Sequence, residues 1–186
     1  MKLLQMIVDA DICIKIGTSD KYRFLENLFP QIAEKIYIHK VVYDEVLFGC
    51  AKDQINKLIT DGIIEIVDES SLCPIERQIY DGIFRTLASI MINPQKPKKN
   101  KGEVSSLAWA KTKSIPYFAT DEKDLQPIID RLLNTGIDDI HCLRIEEIIF
   151  LIREGKLEGL KRKEAKTLWR LSCKSTEDFD KYIWPL

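Results

Sequence analysis

Short apolar runs alternate with amphipathic stretches along most of this chain, and that alternation limits the fold more than any other feature. Leu3 to Val8 reads as a strand, and further strands are expected at Ile36 to Ile38, Ile63 to Val67, Ile115 to Ala119 and Ile140 to Ile145. Between them the spacing predicts helices. Ile12 to Ile16 is the first, and Tyr22 to Phe29 follows, with Asp20 as a cap and Pro30 as the stop. Val41 to Phe48 ends at Gly49, Asp53 to Thr60 is closed by Asp61-Gly62, and Ile75 to Met91 is opened by Pro74. Val104 to Lys113, Leu125 to Leu133 and Ile148 to Arg153 complete the set, with Asn93 to Gly102 as a loop. Strand–helix alternation of this kind implies an α/β fold with a parallel sheet of about five strands, covered on both faces.

The 186 residues suit one α/β domain over 1–152 followed by a basic helical C-terminal extension over 153–186. In that extension Lys161 to Leu171 reads as a basic amphipathic helix, and Ser175 as the cap of a last turn. The net charge of −1 conceals an uneven distribution. Lys96 to Lys101 carries four lysines and no acid; Arg153 to Lys174 carries eight basic residues against Glu154, Glu158 and Glu164. Asp9 and Asp11 interrupt the first apolar stretch, which argues against a signal peptide, and no run reaches the roughly 18 to 20 apolar residues of a membrane span. Five scattered cysteines without a CxxC pair read as free thiols in a reducing cytoplasm, and two histidines, His39 and His141, make a zinc site improbable.

Four acids sit where separate elements should converge: Asp9 after the first strand, Glu45 in VVYDEV, Glu103 at the start of KGEVSSLAWA, and Asp121 after the fourth strand. In an open parallel sheet the carboxyl ends of the strands share one edge, and ligands bind where the strand order reverses. Four carboxylates there would repel one another unless a divalent cation neutralised them, and hard oxygen donors suit Mg²⁺ or Mn²⁺. The pattern points to metal-dependent chemistry on a phosphate ester. Each acid also has a structural reading. Asp11 and Asp121 stand at helix-cap positions, and Glu103 lies in a first turn favoured by the helix dipole. Asp124 is a further metal-ligand candidate.

With those residues in that order, the chain resembles PIN-domain nucleases over about residues 1–152: Asp9 in IVDADICIKIG, Glu45 in HKVVYDEVLFG, and Glu103 and Asp121 in KGEVSSLAWAKTKSIPYFATD. The resemblance implies an α/β/α sandwich and Mg²⁺- or Mn²⁺-dependent cleavage of RNA, with Asp9, Glu45, Glu103 and Asp121 as catalytic and metal-binding residues. Many bacterial members are toxins held by a cognate antitoxin, often as homodimers. The lysine-rich insertion and the basic extension depart from the compact pattern. Lys96, Lys98, Lys99, Lys101, Arg162 and Lys163 are placed to hold an RNA backbone without reading sequence. Tyr43, Trp109 and Trp169 are candidates for base stacking, although aromatics at helical spacing are more often core. Two other readings stay open. Asp9-Ala10-Asp11 also looks like the nucleophile motif of haloacid-dehalogenase-type phosphatases, and a catalytically inactive PIN-like module would bind RNA or protein through its basic tail.

Overall fold

The computed structural model describes residues 2–185. Five parallel strands form one sheet: β1 (Leu3–Val8), β2 (Ala33–His39), β3 (Ile64–Val67), β4 (Tyr117–Ala119) and β5 (His141–Leu143), in the spatial order β3-β2-β1-β4-β5. The order reverses between β1 and β4. There the register pairs Ile7 with Phe118 and Val8 with Ala119.

Side chains alternate across the strands, so the sheet builds two cores. Met6, Val8, Ile36, Ile38 and Ala119 face one layer, made by α1 (Ala10–Gly17), α2 (Phe24–Ile32), α4 (Cys50–Thr60) and α8 (Ile145–Arg153). Ile7 and Phe118 face the other, made by α5 (Pro74–Met91), α6 (Lys101–Thr112) and α7 (Leu125–Leu132). The short α3 (Lys40–Glu45) bridges the end of β2 to α6. The architecture is an α/β/α sandwich, as expected. Among the described residues no helix is long and apolar enough to cross a membrane.

Several local boundaries differ from the expectations. Pro30 does not stop α2, which runs on to Ile32. A proline removes only its own donor, and Phe29 and Ile32 are buried deeply enough to hold the last turn. Asp20 is not its cap; that position falls to Arg23, in a left-handed conformation with φ 42°. Gly49, with φ 87°, opens α4 rather than closing α3, which ends at Glu45. Its positive φ suits a residue without Cβ. The lysine loop is shorter than expected, because α6 takes in Lys101 and Gly102.

The C-terminal segment packs into the first core. Helix α9 (Arg162–Leu171) lies on α8 and α1, burying Ala165, Leu168 and Trp169. Phe179 follows from a short π-helical turn and is fully buried. Ser175 caps the intervening turn at Thr176–Asp178, as expected. Arg162 ties the end down, with Nη2 2.6 Å from Asp180 and 3.0 Å from the Trp184 carbonyl. These contacts make one cooperative unit of the sheet and the tail. Phe179→Ala is therefore expected to cost about 3–5 kcal/mol and to lower a single calorimetric transition; a separate early transition for the tail would contradict this packing.

Candidate active site

Asp9 leaves β1 where its apolar run ends, and its backbone N–H still donates to the Ala119 carbonyl at 2.9 Å. The side chain is therefore held inside, 1 % exposed. One carboxylate oxygen accepts from the Ala10 N–H at 2.7 Å, capping α1; the other accepts from the Thr120 hydroxyl at 3.3 Å. Neither partner carries a charge. Burial, then the nearby Glu103 and Asp11 carboxylates, push the Asp9 pKa up to about 8 against these two hydrogen bonds.

Glu45 arrives from the other side of the switch point. Its helix is capped by His39, whose Nδ1 accepts from the Val41 N–H at 3.2 Å. Burial holds the His39 pKa below its ordinary value, which keeps the ring a neutral acceptor. The Glu45 carboxylate lies against Gly102 at the start of α6. A Cβ at Gly102 would stand 2.8 and 3.1 Å from the two carboxylate oxygens. Glycine here is a space requirement, and it lets the Gly102 N–H reach the carboxylate. Next along α6, Glu103 is half-buried. Burial, then Glu122 and Asp11, raise its pKa, and Glu103 in turn raises that of Glu45 after burial. Glu103 thus links Asp9 to Glu45.

Asp121 is placed differently. It follows β4 as expected, but both oxygens are taken by ammonium groups: Lys15 Nζ at 3.0 Å and Lys174 Nζ at 2.7 Å. Lys15 also holds Asp11 at 2.6 Å, and Lys174 holds Glu146 at 2.8 Å. The sheet edge therefore has two poles: an acid set (Asp9, Glu45, Glu103) that makes no ion pair among the described residues, although Lys101 and Lys99 lower the pKa of Glu45 and Glu103, and a carboxylate held between two lysines. Asp124 is exposed at the N-cap of α7 and lines a small cavity with Glu103, Glu122 and Lys99.

A cleft of about 720 Å³ opens over Glu45 and Glu103, lined also by Glu122, Lys98, Lys99 and Lys101; Asp9 lies beneath the surface and is not part of its lining. Lys96 and Lys163 are exposed and outside that lining. Arg162 is engaged with Asp180 and Trp184, so its guanidinium has a structural partner. The aromatics considered for stacking have other duties. Trp109 and Trp169 are buried, and Lys52 Nζ stands 3.1 Å over the centroid of Tyr43. Phe48, three residues past Glu45, is 85 % exposed instead. A more apolar cavity of about 440 Å³ lies beside the starts of β1 and β4 and contains none of the candidate acids.

Sequence reasoning missed Lys15, Lys174, Glu122 and Glu146. The Asp11–Lys15 pair is four residues apart on one helix and was readable at that spacing. Nothing in the sequence near Asp121 announces Lys174, which comes from 53 positions away.

In charge and in donor type, the acid set fits a hard divalent cation. In spacing it does not: among the described residues, no group of three or more His, Cys, Asp or Glu stands close enough to hold a metal ion. Comparison of the chain with protein-family models, with curated proteins and with solved structures gives no match.

The raised Asp9 pKa has a direct consequence for stability. Between about pH 4 and pH 8 the folded chain keeps a proton on Asp9 that the unfolded chain has lost, so stability falls as pH rises through that window. Asp9→Asn keeps the volume and removes the penalty. It should stabilise the metal-free protein by about 5 kcal/mol at pH 7.5 and by nearly nothing at pH 4. Denaturant titrations at the two pH values check this; equal shifts at both would refute the assignment.

Proposed function

We propose that this chain is a metal-dependent endoribonuclease whose acid set is Asp9, Glu45 and Glu103, with Mg²⁺ or Mn²⁺ as the ion. The observation that carries the reading is the buried, uncompensated carboxyl of Asp9 at the sheet's switch point, with Glu103 beside it. A buried acid with no cationic partner is costly, and such groups concentrate at functional sites. A divalent cation supplies the positive charge that this set lacks. Asp121, held by Lys15 and Lys174, and Asp124 belong to the same edge as further candidate ligands.

The lysine wall supports a polyanionic substrate. Lys98, Lys99 and Lys101 line the same cleft as Glu45 and Glu103, so a phosphate backbone entering it would meet ammonium groups as well as carboxylates. Backbone contacts of this kind position a strand without reading its bases. The phosphatase reading is less well supported, because it gives Glu45 and Glu103, whose pKa values are both raised at the same edge, no role.

Cleavage of a mixed RNA pool in Mn²⁺, with an EDTA control and a phosphomonoester substrate alongside, tests the proposal. Asp9→Asn and Glu103→Gln should each lower RNA cleavage by at least about a hundredfold with the fold intact. Gly102→Ala should push the Glu45 carboxylate aside and cost about tenfold. Phosphate release from the monoester, without RNA cutting, would transfer the chain to the phosphatase reading. For RNA binding, replacing Lys98, Lys99 and Lys101 by alanine should reduce the slope of log affinity against log salt by about 2. An unchanged slope would remove the lysine wall from the substrate path.

A further inference from the structure

Two cavities meet at the start of α6. The larger is the lysine-lined cleft over Glu45 and Glu103. The smaller, of about 290 Å³, lies where the end of α5 and the starts of α6 and α7 come together. Lys99, Asn100, Glu103 and Glu122 line both, so the two are halves of one groove. Their chemistry differs. Lys98 and Lys101 line the cleft alone, whereas the smaller half is walled by Ile90, Met91, Leu125 and Ile128, with Asp124 beside them.

The junction between the halves is fixed. Asn100 has a left-handed backbone with φ 63°, and its Nδ2 donates to the Met91 carbonyl at 2.9 Å, which closes the two ends of the lysine loop on each other. Ile90, at the lip, is 49 % exposed on a helix whose other face packs on α6. Asp124 stands before α7, yet its side chain makes no capping bond to that helix. Asp124, Glu122 and Glu103 form no group able to hold a metal ion. The oxygens of Asp124 and Glu122 are thus left to hydrogen-bond donors, and an ionised carboxylate is an acceptor only.

We propose that the smaller half is a nucleobase subsite, in which an unpaired base of the strand lies against the isoleucine and leucine walls while Asp124 and Glu122 accept hydrogen bonds from its Watson–Crick edge. This rests on the ribonuclease reading above, which supplies the strand and places its phosphate in the lysine-lined half. Unpaired bases are recognised through their faces and through hydrogen bonds to their edges. A phosphate does not suit the smaller half, where one lysine meets three carboxylates. The edge chemistry then selects the base. Guanine presents two adjacent donors, N1–H and its 2-amino group, which match the two oxygens of one carboxylate. Adenine and cytosine set an acceptor nitrogen beside their amino donor, and uracil has one donor between two carbonyls. In these three a lone pair faces the carboxylate, which costs affinity. The subsite therefore favours guanine.

Affinities of the full chain for the four ribonucleoside 5′-monophosphates, measured by NMR titration in EDTA, test the subsite without metal or cleavage. The phosphate is common to all four, so their ratio reads the base alone. The guanine nucleotide should bind at least about tenfold more tightly than each of the others. Asp124→Asn puts a donor where an acceptor stood and should bring the four within about twofold of one another; Asp124 is exposed and caps nothing, so the fold does not depend on it. Glu122→Gln should reduce the preference in the same direction. Ile128→Ala should weaken all four in about the same proportion. Equal affinities in wild type, a guanine preference undiminished in both carboxylate variants, or no binding of any nucleotide overturns the subsite. A guanine preference in EDTA without RNA cleavage in Mn²⁺ keeps the base site and overturns the ribonuclease reading. Cleavage in Mn²⁺ with no preference among the nucleotides overturns the subsite and leaves that reading standing.

Discussion

The seam between β1 and β4 is the constraint on which the rest of this structure depends. It is short, with Ile7 on Phe118, Val8 on Ala119, and one further bond from the Asp9 N–H to Ala119. Because the sheet is parallel and covered on both sides, that seam can close only with Met6, Ile7 and Val8 fully buried, and the first polar side chain after them is carried inside. Asp9 cannot turn to solvent while its own N–H completes the ladder. It accepts from the Ala10 N–H and from the Thr120 hydroxyl, and among the described residues no ammonium or guanidinium group pairs with it.

Two helices then bring further carboxylates to the same edge. The His39 cap sets the direction of α3, and the missing side chain at Gly102 lets Glu45 close on the start of α6. Glu103 raises the pKa of both Asp9 and Glu45, and is itself raised by burial and then by Glu122 and Asp11. On the other side of the seam the arrangement is inverted. Asp121 sits between Lys15 and Lys174, and each lysine reaches on to another acid. An edge that combines an uncompensated set with a compensated one stores its cost on the first and its rigidity on the second.

Much of this was readable from residue order, and the failures have particular causes. The strands were placed because parallel strands buried on both faces need unbroken apolar residues, and Leu3 to Val8 has only Gln5 as an interruption. Asp9, Glu45, Glu103 and Asp121 were singled out because each adjoins such a run; the fold brings Glu103 within electrostatic reach of both Asp9 and Glu45, and pairs Asp121 with Lys15 and Lys174 instead. Pro30 misled because the cost of one lost donor was set against the burial of Phe29 and Ile32, which outweighs it. Gly49 misled because glycine at a positive φ opens a helix as readily as it closes one.

What the order of residues determined by itself was the class of fold, the number and sequence of the strands and the acids that adjoin them, although β2 starts earlier than expected, at Ala33, and β5 ends earlier, at Leu143. Those follow from local physics, from apolar period, capping chemistry and the rule that strand ends in a parallel sheet share an edge. What tertiary structure alone decided was the electrostatic state of each acid. Whether a carboxylate is lonely or paired depends on charges that arrive from distant parts of the chain, and Coulomb interactions inside a protein act over space rather than along the backbone. Asp9 and Asp121 look alike in sequence, each one closing a strand. They part company because the C-terminal tail, packed down by Trp169 and Phe179, carries Lys174 to Asp121, whereas no lysine or arginine hydrogen-bonds to Asp9 among the described residues.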